Sequence, residues 1–387
     1  MKIAFEVVRS FADRTCAALL MVIVVAAAPV SAQKVMPPRD PNAALLVTSD
    51  IANFWRAYDR AASAGNATTR ARAYLDLYIR PGSLGLRDWV QSRLTSGVGL
   101  LDLLLEKGWP KERLLQASTV PLTDVERARL TRDTSGMGDL LAAMNLDAAV
   151  RQRPRFFAAI RHNTLAIDTA RAVKDSIRTY YRRLVALYPD AVFPPVYFLI
   201  GQLSSGGTTS DAGQLIGAEL HGADASTPLD ELSDYERRVV GRVDGLPRIV
   251  AHELMHIQQS HARGGAIAVE STSKPSLLAQ SLDEGCASFL AASITGADPA
   301  KVANEYGLAH EHDLWVEFQR DMNGNDASSW LYQGDRSKDR PPDLGYFMGA
   351  RICAAYYTNA NDKRQAVRDI FAMPSPATFP GRSGYAP

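Results

Sequence analysis

The sequence is poor in cysteine, carries no excess of either charge, and contains no apolar run long enough to cross a bilayer. Three cysteines in 387 residues exclude a disulfide-stapled miniature fold and a cysteine-rich zinc module. Lys and Arg total 43 against 42 Asp and Glu, a formal charge of +1. The two signs are interspersed, so no basic stripe faces a phosphate backbone and nucleic acid is not an expected partner. The longest apolar run, Ala17 to Ala28, has about 12 residues, where roughly 20 are needed for a span. There is no fixed-period repeat and no low-complexity tract. What is present is a globular composition, 46% hydrophobic, long enough to bury one large core or two modest ones.

The apolar run sits in a recognisable setting. Lys2, Arg9 and Arg14 precede it, and Val30-Ser31-Ala32 offers small residues for cleavage before Gln33. This predicts a signal peptide over 1–32, hence export to the periplasm or the medium, with no stable membrane span after cleavage. Cleavage would remove Cys16 and one net positive charge, leaving a formally neutral chain with Cys286 and Cys353. Two cysteines in an oxidising compartment permit one disulfide.

Residues 33–46, with Pro37, Pro38 and Pro41, read as an extended leader. Over 47–190 apolar residues recur at helical spacing, as in Ile51, Phe54, Trp55 and Tyr58 and again in Leu101, Leu104 and Leu105. After Tyr188-Pro189 the character changes. Val192 to Ile200 is β-rich, Ser204 to Thr209 reads as a loop, and Gly213 to Leu220 suits a second strand. Helix signals then return: a Ser233/Glu236 capping box, Pro247 in the first turn of a helix reaching about His261, and a helix from near Pro275 to before Gly296. Further helices are predicted after Asp298-Pro299, over Asp343 to Tyr357 and over Asp362 to Met373. The pattern is mainly α with a small β-sheet, an α+β chain, with a helical N-terminal region over 47–190, a second region over 191–375 and a tail over 376–387.

The chemistry concentrates in Ile249-Val250-Ala251-His252-Glu253-Leu254-Met255-His256. Residues four apart on a helix share a face, so His252 and His256 can clamp one ion, while Glu253 reaches a water without being a ligand. With seven histidines in the chain, this pattern arises by chance in roughly one chain in a hundred. A catalytic zinc site needs a third protein ligand, and Glu284 in Asp283-Glu284-Gly285-Cys286-Ala287 is available on the next helix.

His-Glu-x-x-His followed by Glu-Gly-x-Ala resembles the gluzincin class of zinc metallopeptidases. The resemblance implies a zincin-like catalytic domain, Zn2+ held by His252, His256 and Glu284, and Glu253 as general base acting on a peptide or protein substrate. The 27 residues between His256 and Glu284 exceed the gluzincin aminopeptidase spacing, and the small, polar stretch Ser260 to Ser273 reads as an inserted loop or hairpin. Phe54-Trp55-x-x-Tyr58, the glycine-rich strand pair and Gly345-Tyr346-Phe347-Met348-Gly349 are similar to a group of bacterial predicted zinc-dependent proteases over about residues 47–372.

Other readings use the same residues. One is a zinc hydrolase of a small amide or ester; another is an envelope binding protein with a structural zinc, against which Glu253 argues, because such a site needs no base. An oxyanion donor is expected from Tyr346, with His310 and His312 as alternatives. Asp283 and Asp313 are nominal partners for the imidazole N–H groups. Tyr346 and Cys353, seven apart, share a helix side, whereas Glu284 and Cys286 point to nearly opposite sides. Tyr346 in the cleft and a Cys286–Cys353 bond therefore read as mutually exclusive, and Tyr346 in the cleft is the expectation.

Overall fold

A computed structural model describes residues 37–94, 104–105, 107–116, 120, 122–134, 138–264, 275–297, 301–337 and 339–387. The predicted signal segment 1–32, Leu101 and positions 265–274 of the predicted insert lie outside the described residues. Among the described residues no helix is long and apolar enough to cross a membrane.

The chain is mainly helical around one small mixed sheet, an α+β fold. In order come β1 (Leu46–Val47), α1 (Ser49–Ala62), α2 (Ala67–Tyr74), α3 (Leu84–Trp89), α4 (Lys111–Gln116), α5 (Asp124–Thr134), α6 (Gly138–Gln152), α7 (Pro154–Ala166) and α8 (Arg171–Leu187). Then follow β2 (Val196–Leu199), β3 (Gly207–Ser210), β4 (Gly213–Gly217), α9 (Asp234–Val239), α10 (Leu246–Ala262) and α11 (Leu277–Thr295). The last elements are α12 (Lys301–Ala309), α13 (Glu311–Asp321), α14 (Leu344–Asn359), α15 (Lys363–Ala372) and α16 (Phe379–Ser383).

The N-terminal helices form because their apolar spacing places aromatic rings on one face. Phe54 of α1 is buried against Tyr74, Tyr78 and Phe157 and Trp55 against Phe54 and Tyr58, and the Trp55 indole N–H is satisfied by Thr164 Oγ1 at 3.0 Å. One contiguous apolar cluster runs from Ala44 to Phe379, so the helices before β2 and those after it share a core.

Sheet order is β1-β2-β4-β3, with β1 and β4 parallel to β2 and β3 antiparallel to β4. Two strands differ from the sequence reading. The leader contributes β1, pinned further by Val196 N–H to Leu45 O at 2.8 Å. Ser204 to Thr209 is not all loop, because Gly207–Ser210 pairs with β4 through a two-residue turn, Asp211-Ala212. Glycine masks a strand whose stability comes from its partner rather than from its own propensity. Gly213 has φ +140, and a Cβ there would lie 2.2 Å from Pro195 O, so only glycine fits. The predicted strand to Leu220 stops at Gly217 and continues as a 3-10 turn.

The site helix α10 is clamped to the segment that leads into β2. Gln258, fully buried, pairs with Val192 as another peptide group would, Oε1 accepting at 2.9 Å and Nε2 donating at 2.8 Å. Helix α11 begins at a Ser276 cap and ends at Gly296 in the left-handed region.

Helix α14 lies against α11 with their backbones nearly touching. A Cβ on Gly349 would stand 1.8 Å from Ser281 O, and one on Gly285 2.3 Å from Ala350 N. This contact corrects the expected exclusion. Cys286 and Cys353 are bonded, with Cα atoms 5.5 Å apart, and Tyr346 nevertheless stands in the cleft beside His252. Gly285 sits at the contact, so Glu284 and Cys286 flank it on either edge of α11. The two-turn stripe from Tyr346 to Cys353 meets one edge at its start and the other at its end. The contact is a glycine-lined bed rather than a narrow line, so it accommodates both the disulfide and Tyr346 in the cleft.

Candidate metal centre

Helices α10 and α11 converge so that His252, His256 and Glu284 present one donor atom each. His252 Nε2 and His256 Nε2 are 3.2 Å apart, and Glu284 Oε2 lies 3.5 Å from the first and 3.3 Å from the second. Three donors about 2.0–2.1 Å from one ion at tetrahedral angles stand roughly 3.3 Å from one another, so the triangle fits a metal ion without rearrangement. No other such His/Cys/Asp/Glu group occurs among the described residues.

The imidazoles are held by further partners. Gln259 Oε1 meets His256 Nδ1 at 2.8 Å, and Gln259 Nε2 donates to Asp283 O at 2.8 Å. An amide oxygen can only accept, so His256 Nδ1 carries a proton, which leaves Nε2 as the nitrogen that faces the cluster. Ser288 Oγ, one turn below Glu284, is 3.4 Å from His252 Nδ1.

Burial alone would lower the pKa of His256, but Glu284, Glu253 and Asp283 outweigh it and hold it at about 10. Burial acts to raise Glu284, yet the two imidazoles keep it well below its ordinary value. The cluster therefore favours a positive charge, and a divalent cation would displace a proton on binding.

Glu253 is buried and lies under the edge strand β3: a Cβ on Gly207 would be 2.7 Å from its Oε1. Tyr346 is raised well above its usual range by burial and by the nearby Glu284 carboxylate, and its ring stacks 6.3 Å from that of His252. His310 does not join the site, because its Nδ1 donates to Tyr306 O at 2.8 Å. His312 is exposed and faces Asp313 at 3.6 Å, so neither serves the centre. Asp283 supplies its backbone carbonyl to Gln259, while its carboxylate pairs with Arg263 at 2.9 Å.

Sequence reasoning missed Gln259, Ser288 and Tyr332. The first two lie at helical spacings from His256 and Glu284, three and four residues on, and could have been found. Tyr332 comes from the loop before α14, its hydroxyl donating to Glu284 Oε1 at 2.9 Å, and no local pattern marks it. Beside Ser288 and Tyr346 a cavity of about 410 Å³ opens, walled by Phe289, Ala292, Leu308 and Phe347.

Comparison with protein-family models, curated proteins and solved structures returns no match.

Proposed function

We propose that the protein is an exported zinc metallopeptidase. The observation that carries the reading is the three-donor triangle of His252, His256 and Glu284 with a carboxylate, Glu253, that is not part of it but is buried beside it. Two imidazoles and one carboxylate with a position left open are the donor set of catalytic zinc. The mixed N and O donors suit zinc better than magnesium or calcium, which prefer oxygen alone.

Zinc, when bound, would lower the pKa of a coordinated water toward about 7 and polarise a carbonyl. Glu253 takes the water's proton and returns it to the departing nitrogen. The Tyr346 hydroxyl, kept protonated by burial and by Glu284, donates to the oxygen that gains charge. The strand β3, paired on one side only among the described residues, offers backbone groups along which a peptide can lie over the base. The apolar cavity beside Tyr346 gives room for a neighbouring side chain. A small closed-site amide substrate would need no such edge. A disulfide between Cys286 and Cys353 and the signal pattern both suit an oxidising compartment outside the cytoplasm.

The test is a peptide-library digest by zinc-loaded protein and by Glu253→Gln. The wild type is expected to cleave; the variant is expected to keep its zinc and lose cleavage by several orders of magnitude, since only water activation is removed. Near-full activity of Glu253→Gln would refute the mechanism.

A further inference from the structure

The two oxygens of Glu284 have different surroundings. Oε2 faces both imidazole Nε2 atoms, at 3.5 and 3.3 Å, whereas Oε1 accepts the Tyr332 hydroxyl at 2.9 Å. Tyr332 does not lie on either metal-bearing helix. It belongs to the loop between α13 and α14, and its backbone has φ +54, a region that aromatic residues rarely adopt.

That conformation is imposed by its neighbours. Gln333 and Asp343 grip each other twice, Gln333 N–H to Asp343 Oδ1 at 3.1 Å and Asp343 N–H to Gln333 Oε1 at 2.8 Å. Arg336 Nη2 holds the Tyr332 carbonyl at 2.6 Å, and Gly345 N–H ties the start of α14 to Trp330 O at 2.9 Å. A disfavoured backbone kept in place by this many bonds, at a residue that is 56% exposed, is not explained by core packing. Its effect is to bring one hydroxyl onto one carboxylate oxygen.

We propose that Tyr332 is a positioning residue that makes Glu284 a one-oxygen ligand. A carboxylate can bind a metal through one oxygen or both. A phenol donating to Oε1 draws charge from that atom and fixes the rotation of the group, so Oε2 alone turns toward the histidines. The consequence is a site with three protein donors and a position left for water, rather than one filled by a second carboxylate oxygen.

The inference rests on the metal reading, and the experiment separates the two. Zinc affinity and the visible spectrum of the Co2+-substituted protein are measured for wild type and Tyr332→Phe, with thermal melts in chelator to check that the exposed ring change leaves folding intact. Expected are a 10- to 100-fold weaker zinc Kd and a marked fall in Co2+ band intensity, the signature of a coordination number above four as Oε1 becomes a ligand. Equal affinity with superimposable Co2+ spectra would overturn the role of Tyr332. Absence of metal binding by the wild type would instead overturn the metal centre itself.

Discussion

Replacing Cys353 by serine removes the covalent tie between the helix that carries Glu284 and the helix that carries Tyr346. The bond spans a sequence separation of 67, and the chain-entropy account of such a loop gives about 4 kcal/mol of stabilisation. Both cysteines are fully buried, so a serine hydroxyl left without a partner costs about 1–2 kcal/mol more. Against this, the glycine-lined contact of α11 and α14 continues to hold the helices together. The lost loop constraint and the unpaired hydroxyl sum to about 5–6 kcal/mol, which corresponds to a fall in melting temperature of roughly 7 °C for a chain of this size. The assay is thermal unfolding of wild type, Cys353→Ser and the Cys286→Ala/Cys353→Ala pair, with thiol titration of the unreduced, denatured wild type. Zinc affinity should also weaken in the serine variant, because Glu284 lies two residues from Cys286. Unchanged melting together with two free thiols in the wild type would refute the reasoning.

A methyl group at position 207 would meet Glu253 Oε1 at 2.7 Å; since that atom ends a flexible side chain, Gly207→Ala should fold and bind zinc but displace the base, lowering kcat by about 10²-fold. Unaltered kcat would show that β3 does not set the position of Glu253. Burial raises Glu219 to about 7 from 4.5, so its contribution to stability is lost as pH rises from about 4.5 through 7. Burial also lowers His221 to about 4 from 6.5, so stability is lost as pH falls from about 6.5 through 4. The two slopes nearly cancel in the wild type. Glu219→Gln should remove the first, so that its stability relative to wild type improves by about 3 kcal/mol between pH 4.5 and 8; denaturant unfolding at several pH values checks this, and a pH-independent difference would contradict it.

Much of the centre was legible in the sequence because it lies on regular helices. Spacing of four puts His252 and His256 on one face, and the capping box at Ser233 and the Gly296 terminus delimit their elements from local signals alone. The third donor was available on the next helix and its assignment came through the resemblance; α11 does bring Glu284 to the histidines. What was hidden depends on tertiary contact. The edge strand β3 is stabilised by β4 rather than by its Gly-Thr-Thr-Ser composition. Tyr332 reaches the site through a loop shaped by Gln333, Arg336 and Asp343, residues with no spacing relation to the histidines. The disulfide and Tyr346 coexist because Gly285, Gly345 and Gly349 let two backbones meet, a geometry that side-chain periodicity does not encode.

Zinc content of the purified protein, compared with that of Glu284→Ala, tests the centre most directly. About one zinc per chain in the wild type and little or none in the variant is the predicted result. Equal zinc in both, or none in the wild type after loading, would contradict it.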